Sequence, residues 1–208
     1  KDKSISKKEM IETYLSIGEL QKDDVDFFII ETMSSIDEAV NAVEALSNFN
    51  KKILICFCLS EGDGTKLFSG EDLSKACDLI QIDKISGLCL NCSQFEDISK
   101  GLDILKKYDL PYGALPNNFQ SVNPLKLGMS VDNIKKRNDI LIEDFVNYSN
   151  IWLKKGCTIL GGCCEITPDY IDGLNQFLMK NKYKRSAFFD MSDDLFLSNI
   201  INRIFSCF

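Results

Sequence analysis

Histidine is absent from all 208 residues of the chain. That absence removes Ser-His and Cys-His nucleophile pairs, histidine-ligated metals and the commonest general base. No Lys/Arg-rich run concentrates positive charge, and 31 acidic against 24 basic residues leave a formal charge of −7. Nucleic acid and anionic membrane surfaces are therefore poor partners, whereas a cationic small molecule suits the field. No apolar run approaches the ~20 residues of a membrane-spanning helix, and no signal-peptide pattern opens the chain. The nine cysteines are an odd count in a chain that is not small, which argues against a disulfide framework and for reduced thiols in a cytoplasmic setting. Apolar residues make up 45% of the chain, enough for one domain over 1–208 whose core needs no cross-links.

Hydrophobic periodicity gives a strand-then-helix rhythm. A helix over Lys7 to Leu20 precedes a largely apolar strand, Val25 to Ile30, which runs into Glu31. A helix from Ile36 to Ser47 carries apolar positions at Ile36, Val40, Val43 and Leu46. The pattern repeats in the strands Ile53 to Leu59, Gly87 to Leu90, Tyr112 to Leu115 and Cys157 to Leu160. Helices are expected from about Glu71 to Ile80, Phe95 to Lys107, Ile134 to Lys155 and Asp169 to Lys180, the last opened by Thr167 as cap and Pro168 at the first helical position. Leu195, Phe196, Ile200, Ile201, Ile204 and Phe205 give 190–208 the spacing of a helical tail.

Continuous apolar strands alternating with amphipathic helices imply a parallel sheet covered on both faces. Two α/β architectures meet that description: an open doubly wound sheet, or the C-terminal portion of a (β/α)8 TIM barrel. About five βα units are present and the chain opens on Lys1, so a barrel would have its N-terminal strands missing from this sequence. Glu31, Cys92, Asn117 and the pair Cys163-Cys164 fall just past the ends of different strands. Residues that converge from several strand ends are a barrel habit.

The cysteines carry the chemistry. Ile159-Leu160-Gly161-Gly162-Cys163-Cys164 delivers two adjacent thiols at a strand tip, with two glycines that let the backbone bend both sulfurs towards one centre. Cys92 closes the apolar run that begins at Ile85. Three thiolates from two strand ends make a zinc site with one position open, as a catalytic zinc requires. Free cysteine is also a common core residue, the reading that suits Cys56, Cys77, Cys89 and Cys157 and stays open for Cys92 on its sequence context alone. A thiol redox role for Cys163-Cys164 is a third option, though the pair lacks Cys-X-X-Cys spacing.

Taken together, Gly161-Gly162-Cys163-Cys164 with Thr167-Pro168, Asn91-Cys92-Ser93, Glu31-Thr32 and Pro116-Asn117 make the chain similar to the homocysteine S-methyltransferases, over roughly residues 20–180. The closest likeness is to the zinc-dependent type that uses S-methylmethionine or S-adenosylmethionine. The resemblance implies a (β/α)8 barrel in which Cys92, Cys163 and Cys164 hold Zn2+, Glu31 binds homocysteine and Asn117 lines the donor side. It implies methyl transfer from the sulfonium to a homocysteine thiolate, giving methionine, with no catalytic group beyond the zinc-activated thiolate. The chain departs from the family pattern at Glu165, Leu115 and Asn118-Phe119. The alternative from another class is a non-catalytic zinc-binding pseudo-enzyme or interaction subunit that keeps the barrel.

Overall fold

The computed structural model describes residues 5–126, 130–183 and 196–197. Helix α1 (Lys7–Gln21) leads into β1 (Phe27–Met33), α2 (Ile36–Leu46), β2 (Lys52–Phe57), α3 (Leu73–Leu79), β3 (Gly87–Asn91), α4 (Phe95–Leu105) and β4 (Tyr112–Leu115). The short α5 (Asn123–Lys126), α6 (Ile142–Lys155), β5 (Ile159–Leu160), α7 (Pro168–Lys180) and β6 (Phe196–Leu197) follow. Local chemistry sets several of these ends. Ser6 and Glu9 form a capping box at the start of α1, Ser35 caps α2, Gly156 closes α6 at φ +104°, and Pro168 takes the first position of α7. Thr167 precedes it but makes no capping hydrogen bond through its side chain.

The six strands among the described residues are parallel and lie in sequence order, β1-β2-β3-β4-β5-β6. The order never reverses, so the sheet has no switch point of the doubly wound kind. Each crossover steps the same way, which puts the helices on one side and aligns every strand's C-terminal tip along one edge. The two faces differ accordingly. One carries Phe28, Ile30, Ile53, Ile55, Phe57, Leu88, Leu90 and Ala114, which pack with helix residues such as Val43, Leu102, Trp152 and Leu174. The other holds a small cluster built from strand side chains alone, Leu54, Cys56, Cys89, Leu115 and Ile159, with Phe27 and Ile29 partly buried beside it. The apolar strands led to an expectation of helices on both faces; among the described residues the helices lie on one face.

Three segments differ from the sequence reading. β1, expected to end at Ile30, runs on to Met33, so Glu31 lies within the strand and not past its end. The stretch 134–141, expected to open α6, is not helical. It doubles back on the loop after β4: Phe119 and Lys136 form an antiparallel bridge, Gln120 N donates to Lys135 O and Arg137 N to Asn118 O. The Arg137 guanidinium, paired with Glu96 at 2.9 Å and Asp139 at 2.7 Å, fastens the hook to α4. Of the tail expected to be helical over 190–208, only Phe196–Leu197 falls among the described residues. It is a sixth strand paired with β5, not helix.

Gly113 marks where the sheet is tightest. A Cβ there would collide with the backbone carbonyl and side chain of Ile159 on the neighbouring strand. Backbone on both sides leaves nothing that can rotate away. Gly113→Ala is expected to lower unfolding free energy by about 2–3 kcal/mol, read from the shift in denaturant midpoint at unchanged slope.

Candidate metal centre

β3 ends at Asn91, and Cys92 follows with φ +47°. β5 ends at Leu160, and Gly161-Gly162 lead to Cys163 and Cys164 ahead of α7. Neither glycine is among the positive-φ residues, so the bend expected from backbone freedom is not why they are needed. Space is the reason. A Cβ at 161 would stand 2.9 Å from Leu115 Cδ2, and one at 162 would overlap the Ile166 side chain. The left-handed residue of this turn is Glu165, at φ +63°.

The segment 115–118 straps the two cysteine loops together. Cys92 N donates to Leu115 O at 3.0 Å and Asn117 N to Ser93 O at 3.1 Å on one side. Cys163 N donates to Pro116 O at 2.8 Å and Asn118 N to Cys164 O at 3.0 Å on the other. The backbone of Cys92 is further held by the Cys58 thiol, which donates to Cys92 O at 3.5 Å. Ser93 Oγ bridges Leu59 N and Asn91 O at 2.8 Å each. The sequence offers Pro116-Asn117 as a motif but not the strapping role of 115–118, which is carried by main-chain atoms that any residue supplies; nor does it point to Cys58, whose thiol gains its partner only when β2 and β3 lie side by side.

These constraints gather three half-buried sulfurs. Cys92 and Cys164 Sγ are 3.9 Å apart, Cys163 and Cys164 Sγ 3.8 Å, and all three lie within 4.8 Å of one another. A tetrahedral zinc with ~2.3 Å bonds to sulfur has S···S edges of about 3.8 Å, so the donor set fits that ion in element, number and spacing. The protons are unevenly shared. Hydrogen bonds from Cys163 and Cys92 pull the Cys164 thiol down to about 3. Its bond with Cys164 is the main cause that pushes Cys163 up to about 12, and Cys92 is raised by its hydrogen bond with Cys163 first, then by that with Cys164 and by burial. Without a cation the cluster therefore carries one negative charge, not three.

Glu31 reaches the same neighbourhood. It is half-buried on β1, and burial first, then the negative charge of Cys164, pushes its carboxyl up. Asn117 is fully buried. Its Nδ2 lies 3.8 Å from Cys92 Sγ, and its Oδ1 accepts from Phe119 N at 3.0 Å. All five candidate residues thus come to one end of the sheet, with Asn117 against the cluster and out of contact with solvent. Cys56, Cys77, Cys89 and Cys157 are core residues, as expected.

Comparison with known proteins agrees with this geometry. Over 166 residues the chain is 30% identical to homocysteine S-methyltransferase 2 of Zea mays, covering 77% of this chain and 46% of that one. It is 27% identical over 156 residues to selenocysteine methyltransferase of Astragalus bisulcatus, covering 74% and 45%. The chain thus spans about half the length of the curated relatives it matches. In fold it is similar to the crystal structure of the metallated homocysteine methyltransferase MmuM from Escherichia coli, with a TM-score of 0.63 at 21% identity over 85% of this chain and 54% of that one. The family model described as homocysteine S-methyltransferase matches residues 1–178, and with most of its length accounted for in this way, the chain belongs to the homocysteine S-methyltransferase family.

Proposed function

We propose that this chain forms the zinc-bearing part of a (β/α)8 barrel that transfers a methyl group from S-methylmethionine or S-adenosylmethionine to homocysteine in the cytoplasm, giving methionine. The observation that carries the reading is the approach of the Cys92, Cys163 and Cys164 sulfurs to one another at the tips of β3 and β5. Those three side chains would hold the ion and leave one coordination position for a substrate. Zinc bound there supplies a Lewis acid that keeps a substrate thiol ionised and nucleophilic, the task for which a chain without histidine has no imidazole.

The protein's own share is alignment. Glu31, a carboxylate near the cluster, accepts a charge-assisted hydrogen bond from the substrate ammonium and fixes the thiol's approach. Asn117 packs its amide on Cys92 Sγ and steadies that ligand. The strap 115–118 keeps the two cysteine loops in register. In the transfer, the homocysteine sulfur forms the new S–CH3 bond as the donor's CH3–S bond breaks in line. The electron pair of the broken bond neutralises the departing sulfonium sulfur, which leaves as a thioether.

Three outcomes are expected. First, the purified protein binds about one zinc per chain by elemental analysis, and Cys163→Ala loses it together with any methionine formation from homocysteine and a sulfonium donor. Metal-free protein of equal activity would overturn the reading. Second, zinc uptake near neutral pH releases about two protons per ion, from the raised thiols of Cys92 and Cys163 and none from Cys164, so apparent affinity climbs roughly 100-fold per pH unit. Calorimetry in buffers of different ionisation enthalpy counts those protons, and one or three per ion would contradict the charge sharing derived above. Third, Glu31→Gln keeps its zinc but weakens homocysteine binding by about 10–100-fold, the range of a lost charge-assisted hydrogen bond, as measured by titration of the zinc-loaded protein.

A further inference from the structure

β1 and β3 are separated in the sheet by β2, yet a side chain joins their tips. The Asn91 Oδ1 accepts from Thr32 N at 3.0 Å, and its Nδ2 donates to Thr32 Oγ1 at 2.9 Å. Both halves of one amide are thus spent on one residue. Asn91 is 1% exposed, so the amide has no water to exchange for these bonds.

The residue it grips has an unusual backbone. Thr32 sits at φ +60°, a left-handed conformation that costs an L-residue about 1–2 kcal/mol and is a true outlier for a β-branched side chain. Such a conformation persists only where its surroundings impose it. The register shows what it achieves. Ile30 pairs with Ile55 and Met33 with Phe57, so β1 carries one residue more than β2 across this interval. The extra residue is a bulge at Glu31-Thr32. Phe28 and Ile30 belong to the helix-side core and Met33 rejoins them there, although strict alternation would turn Met33 to the opposite face. Glu31 is displaced within the same bulge, and bulges of this kind re-aim side chains next to functional sites. Among the described residues nothing hydrogen-bonds the Glu31 carboxylate, so its direction is set by the backbone that carries it.

We propose that Asn91 is a positioning residue for Glu31: its amide locks Thr32 in the left-handed conformation and so aims the Glu31 carboxylate at the ammonium group of a thiol bound at the cysteines. The proposal rests on the function proposed above and adds a residue to it. Asn91 thereby couples two contacts of one substrate, since the residue that follows it is a sulfur donor and the residue it clamps follows the carboxylate.

The test uses the zinc-loaded chain and two ligands titrated by calorimetry: homocysteine, and 4-mercaptobutanoate, which has the same thiol chain and carboxylate but no amine. Asn91→Ala is expected to keep its zinc, to bind homocysteine about 10-fold or more weakly, and to bind 4-mercaptobutanoate as the wild type does. Thr32→Val, at an exposed position, keeps the backbone bond and loses the hydroxyl acceptor, and is expected to show the same selective loss at about 3-fold. Equal weakening of both ligands in Thr32→Val, or in a folded Asn91→Ala, would overturn the proposal by showing a general structural role. So would unchanged homocysteine binding in both variants. A wild type that binds neither thiol would instead overturn the functional reading, and the positioning role with it.

Discussion

Three thiols held within 4.8 Å of one another cannot all be ionised unless a cation joins them, and the architecture of this end of the molecule follows from that constraint. The sulfurs are half-buried, so water screens their mutual repulsion only in part. The protein's answer is to let Cys164 carry the charge while Cys92 and Cys163 keep their protons and donate to it. A centre built in this way is poised for a soft divalent ion, because the geometry is set by main-chain hydrogen bonds and only protons have to leave.

The main-chain scaffold explains why the site tolerates its own unfavourable features. Cys92 and Thr32 both occupy left-handed backbone, Cys92 where the chain leaves β3 and Thr32 within the bulge of β1. Their neighbours over-determine them: Leu115 and Cys58 hold the main chain of Cys92, and Asn91 holds Thr32 through two bonds. The strap 115–118 bonds to one cysteine loop and then the other, so that the distance between β3 and β5 at their tips is fixed by β4, which lies between them. Rigidity is thereby concentrated where sulfur spacing matters.

Much of the architecture was legible because strand and helix alternate with strong apolar periodicity. The expected limits of β4, Tyr112 and Leu115, are its true ones, and prolines stand on either side of it. Residues 134–141 have a spacing compatible with helix, but their backbone is claimed by Phe119, Gln120 and Asn118, so α6 begins only at Ile142. No local pattern announces a partner that lies fifteen or so residues away across a loop. The phase shift in β1 was invisible for a similar reason. Glu31 follows an apolar run whether or not a bulge intervenes, and the bulge exists only through pairing with β2 and the grip of Asn91.

By itself the sequence determined the chemistry on offer: no imidazole, a vicinal cysteine pair behind two glycines, a third cysteine at another strand end, and a parallel α/β rhythm that sends strand ends to one edge. These are properties of residue type and short-range periodicity, which depend on neighbours in the chain. Tertiary structure alone decided the sulfur spacings, the single shared charge, the helices on one face of the sheet and the aim of Glu31. Each of those depends on atoms brought together from strands far apart in sequence, and long-range packing and hydrogen bonding fix such distances where local propensity carries no information about them.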